Sequence, residues 1–324
     1  MYKLNKHCST LYFKKISGYA FYNCSSLTTI KIPKTLTTVG GNAFNGCNNL
    51  SEVYYEGTEE DWGKISIAHK NENLTNANIH YSYLVSEFVN RLYTILLGRS
   101  AEPAGLADWT NRLTSGTASS AEIVYGIAAS DEFKRRNLSN EDIVEKLYEA
   151  MLGRASDPDG KQYWLDRLSV GMSVNAIING FSGSTEFADI CADYSIQAGS
   201  ISSLEPRDIN YGLTSFVSRM YTKALNRNYD INGLNDWTNR YLTGRATVSD
   251  ISYGFIFSTE FTDKELSNND YVDTLYRTFF NREPDAAGKA DWLNRLANGI
   301  SREEVMYGFV GSDECIKLVN SFGL

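Results

Sequence analysis

Residues 96–109 read LLGRSAEPAGLADW, and the same pattern returns as MLGRASDPDGKQYW (151–164), ALNRNYDINGLNDW (224–237) and FFNREPDAAGKADW (279–292). In each stretch an acidic residue follows an arginine by three positions, a glycine by six and a tryptophan by ten. The four sets are Arg99, Glu102, Gly105 and Trp109; Arg154, Asp157, Gly160 and Trp164; Arg227, Asp230, Gly233 and Trp237; and Arg282, Asp285, Gly288 and Trp292. Such self-similarity indicates copies of one structural unit.

The sequence around each stretch repeats as well. A tyrosine precedes each arginine by six positions, and a glycine and a Ser-x-Glu triplet follow further on. The arginines are 55, 73 and 55 positions apart, so the copies are paired and extra residues separate the pairs. We therefore predict two all-α modules, at residues 84–194 and 212–324. A linker rich in Ser, Gly and Asn is predicted between them at residues 195–211.

Each copy has the pattern of two helices that meet at a corner. Phe88, Leu92 and Leu96 recur on one helical face, and the glycine or asparagine before the arginine favours the end of that helix. Asp157 followed by Pro158 is typical of the next helix start, because a carboxylate caps free amides and proline suits the first turn.

We expect the repeated residues of this corner to stabilise the fold. The arginine would donate to carbonyls at the helix end and to the acid three residues later. The glycine would let two helices approach closely, and the tryptophan would lie on the buried face between them. The serine of the Ser-x-Glu triplet would cap a short helix. On this interpretation the repeated residues are structural rather than catalytic.

Residues 1–83 follow a different pattern and contain lysine but no arginine. AFYNCSSLTTIKIP (20–33) aligns with AFNGCNNLSEVYYE (43–56) at a spacing of 23 residues, with Cys24 matching Cys47. This period is typical of a leucine-rich repeat solenoid, for which we expect one short strand per turn and about two turns. Cys8 precedes Cys24 by only 16 residues, which predicts a shortened first turn. The predicted fold is mainly α, with a short β-rich solenoid ahead of the two helical modules.

Both regions resemble known families. GYAFYNCSSLTTIKIP (18–33) resembles the BspA-type leucine-rich repeats of bacterial surface proteins over about residues 8–83, and residues 54–83 resemble the closing segment of such solenoids. The motif Y-x5-R-x-x-D-x-x-G-x3-W, followed by G-x3-S-x-E-F, resembles tandem domains of the family DUF4214 over about residues 86–320. A fainter similarity is to the linker domains of phycobilisomes. These resemblances imply helical modules of secreted, multidomain bacterial proteins and supply no catalytic residues.

Composition argues against several classes of protein. The net charge of −8 argues against a nucleic-acid partner, and no apolar run is long enough to predict membrane insertion. We expect no signal peptide or anchor in this chain, so an extracellular or cell-surface location follows from the resemblances alone. Five cysteines without a CxxC pair favour neither disulfides nor zinc. No catalytic motif or cofactor fingerprint occurs, which predicts that the protein is not an enzyme and needs no cofactor.

Two ligand hypotheses compete with a purely structural interpretation. The segments DPDG (157–160) and DING (230–233) are similar to the middle of a calcium loop, but the first and last ligands of that loop are missing. Tyr125, Tyr253 and Tyr307, each just before a repeated glycine, are candidates for half-exposed rings that contact a glycan. The sequence thus predicts a non-enzymatic secreted or surface module for adhesion, assembly or protein interaction, with an unknown protein or glycan partner. The alternative is a carbohydrate-binding accessory of an extracellular enzyme system.

Overall fold

The computed structural model describes residues 13–202 and 204–323. By its contacts the chain forms two compact units. The first contains the described residues up to Phe133 together with Gly183–Gly199, and the second contains Lys134–Ser182 together with the described residues from Ser200 onward. The boundaries predicted at 83, 194 and 211 stay a prediction. Cys8, which predicted a shortened first turn, lies outside the described residues.

In the described part of the leucine-rich region, the first unit has two parallel three-stranded sheets. One sheet has β1 (Lys15–Ile16), β3 (Thr38–Val39) and β5 (Ser66–Ile67), and the other has β2 (Thr29–Ile32), β4 (Glu52–Tyr55) and β6 (Asn78–Tyr81). The prediction of one strand per turn is wrong, because each turn contributes one strand to each sheet. The two-residue strands of the first sheet are too short to give an alternating pattern in the sequence.

From residue 13 onward the solenoid has three layers, one more than the two turns expected. The segment 54–83, predicted to close it, supplies β5, β6 and two short helices, α1 (Glu59–Gly63) and α2 (Glu72–Thr75). Glu52 pairs with Asn78 in β6, as Thr29 pairs with Glu52. Apolar side chains fill the space between the sheets, where Ile32, Val39, Phe44, Cys47 and Val53 are fully buried.

Outside the leucine-rich region, the secondary structure of both units is helical. The first unit has α3 (Tyr83–Leu92), α4 (Pro103–Thr114), α5 (Ser120–Ala128) and α10 (Thr185–Asp193), and α6 (Asp131–Arg135) spans the boundary after Phe133. The second unit has α7 (Asn140–Leu147), α8 (Pro158–Ser169), α9 (Val174–Ser182), α11 (Pro206–Ile209), α12 (Tyr211–Arg219), α13 (Ile231–Leu242), α14 (Val248–Ile256), α15 (Thr259–Thr262), α16 (Asn268–Phe280), α17 (Ala286–Ala297), α18 (Arg302–Val310) and α19 (Asp313–Asn320). A mainly α fold with a small β-rich region at its N-terminal end is therefore confirmed.

Helix ends lie where glycine, asparagine and serine predicted them. Gly98 and Asn226 both adopt positive φ, at 75° and 56°, and end the first helix of copies one and three. The serine side chains of Ser184, Ser258 and Ser312 accept a hydrogen bond from the third residue of α10, α15 and α19. The last turn before the corner was not predicted: it is π-helical in copies one to three (Tyr93–Leu97, Tyr148–Leu152 and Met220–Ala224), whereas α16 remains α-helical.

The predicted linker is partly built into the second unit. It contains α11, whose Arg207 and Asp208 are less than a tenth exposed. Arg207 Nη1 donates to the carbonyl of Gly171 at 2.7 Å, and the Asp208 carboxylate accepts from the amide and hydroxyl of Ser173. The sequence predicted a linker here from its content of Ser, Gly and Asn. The contacts of Asp208 complete the cap of α9, where Ala176 occupies the position that carries an acid in α5, α14 and α18.

Candidate functional site

In copies one, three and four the arginine of the corner has a partner that the sequence did not reveal. In the second unit Arg227 Nε and Nη2 donate to the two carboxylate oxygens of Glu260 at 2.5 and 3.2 Å. Arg282 binds Glu314 in the same way at 2.9 and 2.7 Å, and in the first unit Arg99 binds Glu132. These glutamates belong to the Ser-x-Glu triplets, so the arginine joins the first helix of a copy to its last.

The acid three residues after the arginine has mainly a capping role. Asp157, Asp230 and Asp285 accept a hydrogen bond from the backbone amide of the following motif glycine at 2.6–2.8 Å. Their distances to the arginine are 3.6–3.9 Å, longer than those of the glutamate pair. Glu102 makes no capping bond with its side chain and instead contacts Arg99. The extra methylene of glutamate explains this difference.

A buried tyrosine lies under each arginine. The guanidinium carbon lies 4.9 to 5.3 Å from the ring centre of the tyrosine six residues earlier, and the pairs are Arg99–Tyr93, Arg154–Tyr148, Arg227–Tyr221 and Arg282–Tyr276. The four tyrosines are 4–7% exposed. Cation–π stacking and apolar burial of the same ring therefore occur together at every corner. Burial raises the pKa of Tyr221 to about 12 and keeps its hydroxyl neutral.

The electrostatics of the corner follow from these hydrogen bonds. The bond to Arg227 lowers the pKa of the Glu260 carboxyl, and the same bond raises the pKa of Arg227. The Gly160 amide lowers the pKa of Asp157. The Arg227 and Glu260 side chains are 41% and 43% exposed, so solvent screens their attraction. Their pairing contributes at most about 1 kcal/mol to folding.

Two glycines in each copy make room for aromatic side chains. A Cβ atom at the motif glycine Gly160 or Gly233 would lie 2.2 Å from the hydroxyl of Tyr148 or Tyr221. A Cβ at the later glycines Gly126, Gly180, Gly254 and Gly308 would lie 3.4, 2.3, 2.7 and 2.4 Å from the indole. Close approach was expected at the motif glycine, and the later glycine turns out to contact the tryptophan.

The repeated tryptophans are half-buried rather than enclosed. In the first unit the Trp109 indole donates to the Tyr93 hydroxyl at 3.2 Å. A second arginine, three residues after each tryptophan, covers the indole: Arg112, Arg167, Arg240 and Arg295 lie 4.5, 5.8, 5.0 and 4.9 Å from the ring centre. The motif W-x-x-R occurs in all four copies, but the sequence analysis did not identify it. This arginine–indole pair forms the outer, solvent-facing side of the corner.

The candidate ligand residues differ in exposure. Tyr253 and Tyr307 are both 44% exposed, and Tyr253 stacks on Phe257 with ring centres 5.0 Å apart. Tyr125 is half-buried. Tyr163, which the sequence did not single out, is 49% exposed beneath Arg167. The rings of Tyr253 and Tyr307 are accessible to solvent, and the role of the three candidate tyrosines stays a prediction.

The carboxylates that the calcium hypothesis would use as ligands already cap helices. Asp157 and Asp230 each use one oxygen to accept the amide of the glycine at the end of the DPDG or DING segment. Among residues 13–202 and 204–323, no group of three or more His, Cys, Asp or Glu side chains is placed to hold a metal ion. Of the helices that the structure describes, none is both long and apolar enough to cross a membrane.

A leucine-rich solenoid followed by four copies of a helical corner defines a class of tandem repeat proteins. Comparison with family models agrees with both parts. A BspA type leucine rich repeat region matches residues 6–88, and a domain of unknown function, DUF4214, matches residues 75–137, 127–191, 208–264 and 252–319. The chain belongs to the DUF4214 family. The search of curated proteins finds no match.

Proposed function

We propose that this protein is a non-enzymatic module of the bacterial cell surface or extracellular space that serves adhesion, assembly or protein interaction. BspA-type leucine-rich repeats are protein-interaction repeats typical of surface proteins and are generally non-catalytic. The observation that carries the proposal is the fourfold corner, whose repeated polar groups bind one another. Arg227, for example, is engaged by Glu260, by the carbonyl of Asn228 and by the ring of Tyr221.

Repetition itself favours a structural role for the corner. A catalytic centre needs one set of groups whose pKa values are adjusted to the reaction, whereas here the arginine–glutamate pair recurs in copies one, three and four. The pair keeps both groups charged, because the bond lowers the pKa of Glu260 and raises that of Arg227. Such a pair holds helices together and offers no proton near neutral pH.

The outward face of the larger solenoid sheet is the surface that best suits a protein partner. Lys31, Tyr54 and His80 pair across β2, β4 and β6, and the rings of Tyr54 and His80 stack with centres 4.5 Å apart. His80 Nε2 lies 2.6 Å from a Glu52 oxygen. Aromatic rings rimmed by charged groups are typical of binding hot spots.

Binding of the full chain to a panel of purified bacterial surface proteins and polysaccharides tests the proposal. We expect saturable protein binding that Tyr54→Ala weakens at least about tenfold, as for an aromatic hot spot. Tyr22→Ala is the control, because Tyr22 is 46% exposed in the same solenoid outside the strands. Turnover of a small molecule without binding to any protein or polysaccharide would contradict the proposal.

A carbohydrate-binding accessory role is a second candidate, which the exposed rings of Tyr253 and Tyr307 favour. Exposed aromatic rings present apolar faces to sugar rings. Electrophoresis of the full chain in gels containing polysaccharide tests this role. Retardation that Tyr253→Ala with Tyr307→Ala abolishes would support it, and Tyr125→Ala tests the corresponding ring of the first copy. Equal mobility with and without polysaccharide would exclude the polysaccharides tried.

A further inference from the structure

The arginine that covers the tryptophan has a carboxylate partner in copies one, three and four. This partner is the aspartate directly before the tryptophan, four positions earlier on the same helix. The pairs are Asp108–Arg112, Asp236–Arg240 and Asp291–Arg295, with nitrogen–oxygen distances of 3.9, 2.8 and 2.9 Å. In copy two the sequence reads YWLDR, so Tyr163 occupies the aspartate position and Arg167 has no such partner.

Two tyrosine rings flank the guanidinium of Arg167. Its central carbon lies 3.1 Å from the ring centre of Tyr163 on α8 and 4.6 Å from that of Tyr211 on α12, all in the second unit. Within residues 13–202 and 204–323, Arg167 makes one hydrogen bond, from Nη1 to the carbonyl of Tyr163 at 3.0 Å. Its Nε and Nη2 groups thus stay available, and these are the atoms with which Arg227 binds Glu260.

This Tyr163–Arg167–Tyr211 patch is accessible to solvent. Tyr163 is 49% exposed, and Arg167 and Tyr211 are half-buried. Burial lowers the pKa of Arg167, and the attraction of the neighbouring Asp166 does not offset this effect. One oxygen of Asp166 accepts a hydrogen bond from Gln162 at 2.7 Å. Arginine and tyrosine are enriched in binding hot spots, so the patch has the composition of an interaction surface.

We propose that the Tyr163–Arg167–Tyr211 patch binds an aspartate or glutamate side chain of a protein partner. Nε and Nη2 of Arg167 donate to the two carboxylate oxygens, as suits the planar guanidinium, and the tyrosine rings contact apolar groups beside the acid. Charge complementarity argues for this occupant, and so do the aspartate side chains that the same arginine binds in the other three copies. The inference rests on the proposed function in protein interaction and names one site and one partner chemistry for it.

Site-resolved NMR on the full chain tests the inference with the peptide acetyl-Gly-Leu-Glu-Leu-Gly-amide. We expect saturable shifts of the Arg167 Nε–H signal with a Kd on the order of 5 mM, as suits one ion pair with little buried surface. The same peptide with glutamine in place of glutamate lacks the charge. It should bind at least about fivefold more weakly.

Three variants identify the residues responsible. Tyr163→Asp introduces the residue of the other copies, which pairs with Arg167 and repels the peptide, and should weaken binding at least about fivefold. Arg167→Met removes the donors and should weaken binding to the same extent, about fivefold or more. Arg240→Met is the matched control, because Arg240 already binds Asp236, and it should leave the peptide affinity unchanged. Tyr163 and Arg240 are 49% and 46% exposed, so these replacements are compatible with folding.

Several results would overturn the inference. These are the absence of shifts at about 50 mM peptide, ten times the expected Kd, equal binding of the glutamine peptide, unchanged binding by Arg167→Met, and shifts caused by the acidic polysaccharide polygalacturonate but not by the peptide. Failure of the inference is distinguishable from failure of the proposed function. A chain that ignores the peptide but binds a surface protein through Tyr54 loses only this patch, and a chain that binds the peptide at Arg167 but no natural protein keeps only this patch.

Discussion

The guanidinium of Arg227 and the carboxylate of Glu260 form a two-point ion pair at 2.5 and 3.2 Å although they are 33 positions apart in the sequence. The pair joins the end of the first helix of a copy to α15, its last. The same relationship recurs in Arg99 with Glu132 and in Arg282 with Glu314. This ion pair recurs at three corners, and at each of them the arginine lies above a buried tyrosine. We infer that the pair orients the helices it joins.

Replacing the glycine that faces the indole by alanine should affect stability differently in copies one and two. Gly180→Ala would place a Cβ 2.3 Å from the Trp164 ring, which we expect to lower the free energy of unfolding by about 1–3 kcal/mol through overpacking. Gly126→Ala meets Trp109 only at 3.4 Å, so the better helix propensity of alanine should leave stability unchanged or raise it by up to about 1 kcal/mol. Urea unfolding measures both. Equal losses in the two variants would contradict the packing that separates them.

The pH dependence of stability should change in Glu260→Gln. The bond to Arg227 lowers the folded-state pKa of Glu260, so its contribution is complete above the unfolded pKa and is lost as the pH falls through the folded one. The unmodified chain should therefore lose more stability than the variant between about pH 5 and pH 3, by no more than about 1 kcal/mol for this exposed pair. Urea unfolding across this range gives the two curves. Parallel curves would show that the pair does not form in solution.

Arg219 should be far more sensitive to truncation than an exposed arginine. Its Nε donates to the Thr278 carbonyl at 2.8 Å near the end of α16, and burial lowers its pKa to about 10. Arg219→Met leaves buried carbonyls without a donor, and we expect a loss of about 2–3 kcal/mol in the free energy of unfolding. The Arg240 side chain lies over Trp237 and is 46% exposed. Arg240→Met should therefore lower the free energy of unfolding by only about 0.5–1 kcal/mol. Thermal unfolding that ranks the two variants in the reverse order would refute the capping role of Arg219.

Asp208 should be required for the start of α9. Asp208→Ala leaves the amide and hydroxyl of Ser173 without their acceptor, and we expect a loss of about 1–2 kcal/mol, as for removal of a helix cap. Asp250→Ala is the matched control, because Asp250 makes the same bonds to Thr247 from within its own helix. Chemical unfolding of Asp208→Ala that matches the unmodified chain would show that the segment around Asp208 is not part of the second unit.

Local patterns in the sequence predicted the corners well. The helix that ends at Gly98, the cap at Asp157 and the serine caps follow from the residue type and its immediate neighbours. The arginine's partner could not be found this way, because Glu260 lies 33 positions beyond Arg227 and only folding brings them together. Recurrence of W-x-x-R, by contrast, could have identified Arg240 from the repeats alone.

Sequence patterns did not reveal short elements or the contacts that distant residues make. The second strand of each solenoid turn has only two residues, so no periodicity marks it. The capping role of Asp208 could not be predicted, because its carboxylate compensates for Ala176, which lies 32 positions earlier and lacks the acid of the other capping boxes.

A double-mutant cycle between Arg227 and Glu260 tests most directly whether the repeated corner serves the fold. Urea unfolding of the unmodified chain, Arg227→Met, Glu260→Gln and the double variant yields the coupling free energy of the pair. The structural account predicts a favourable coupling of about 0.5–1 kcal/mol. A coupling of zero, with both single variants as stable as the unmodified chain, would contradict it.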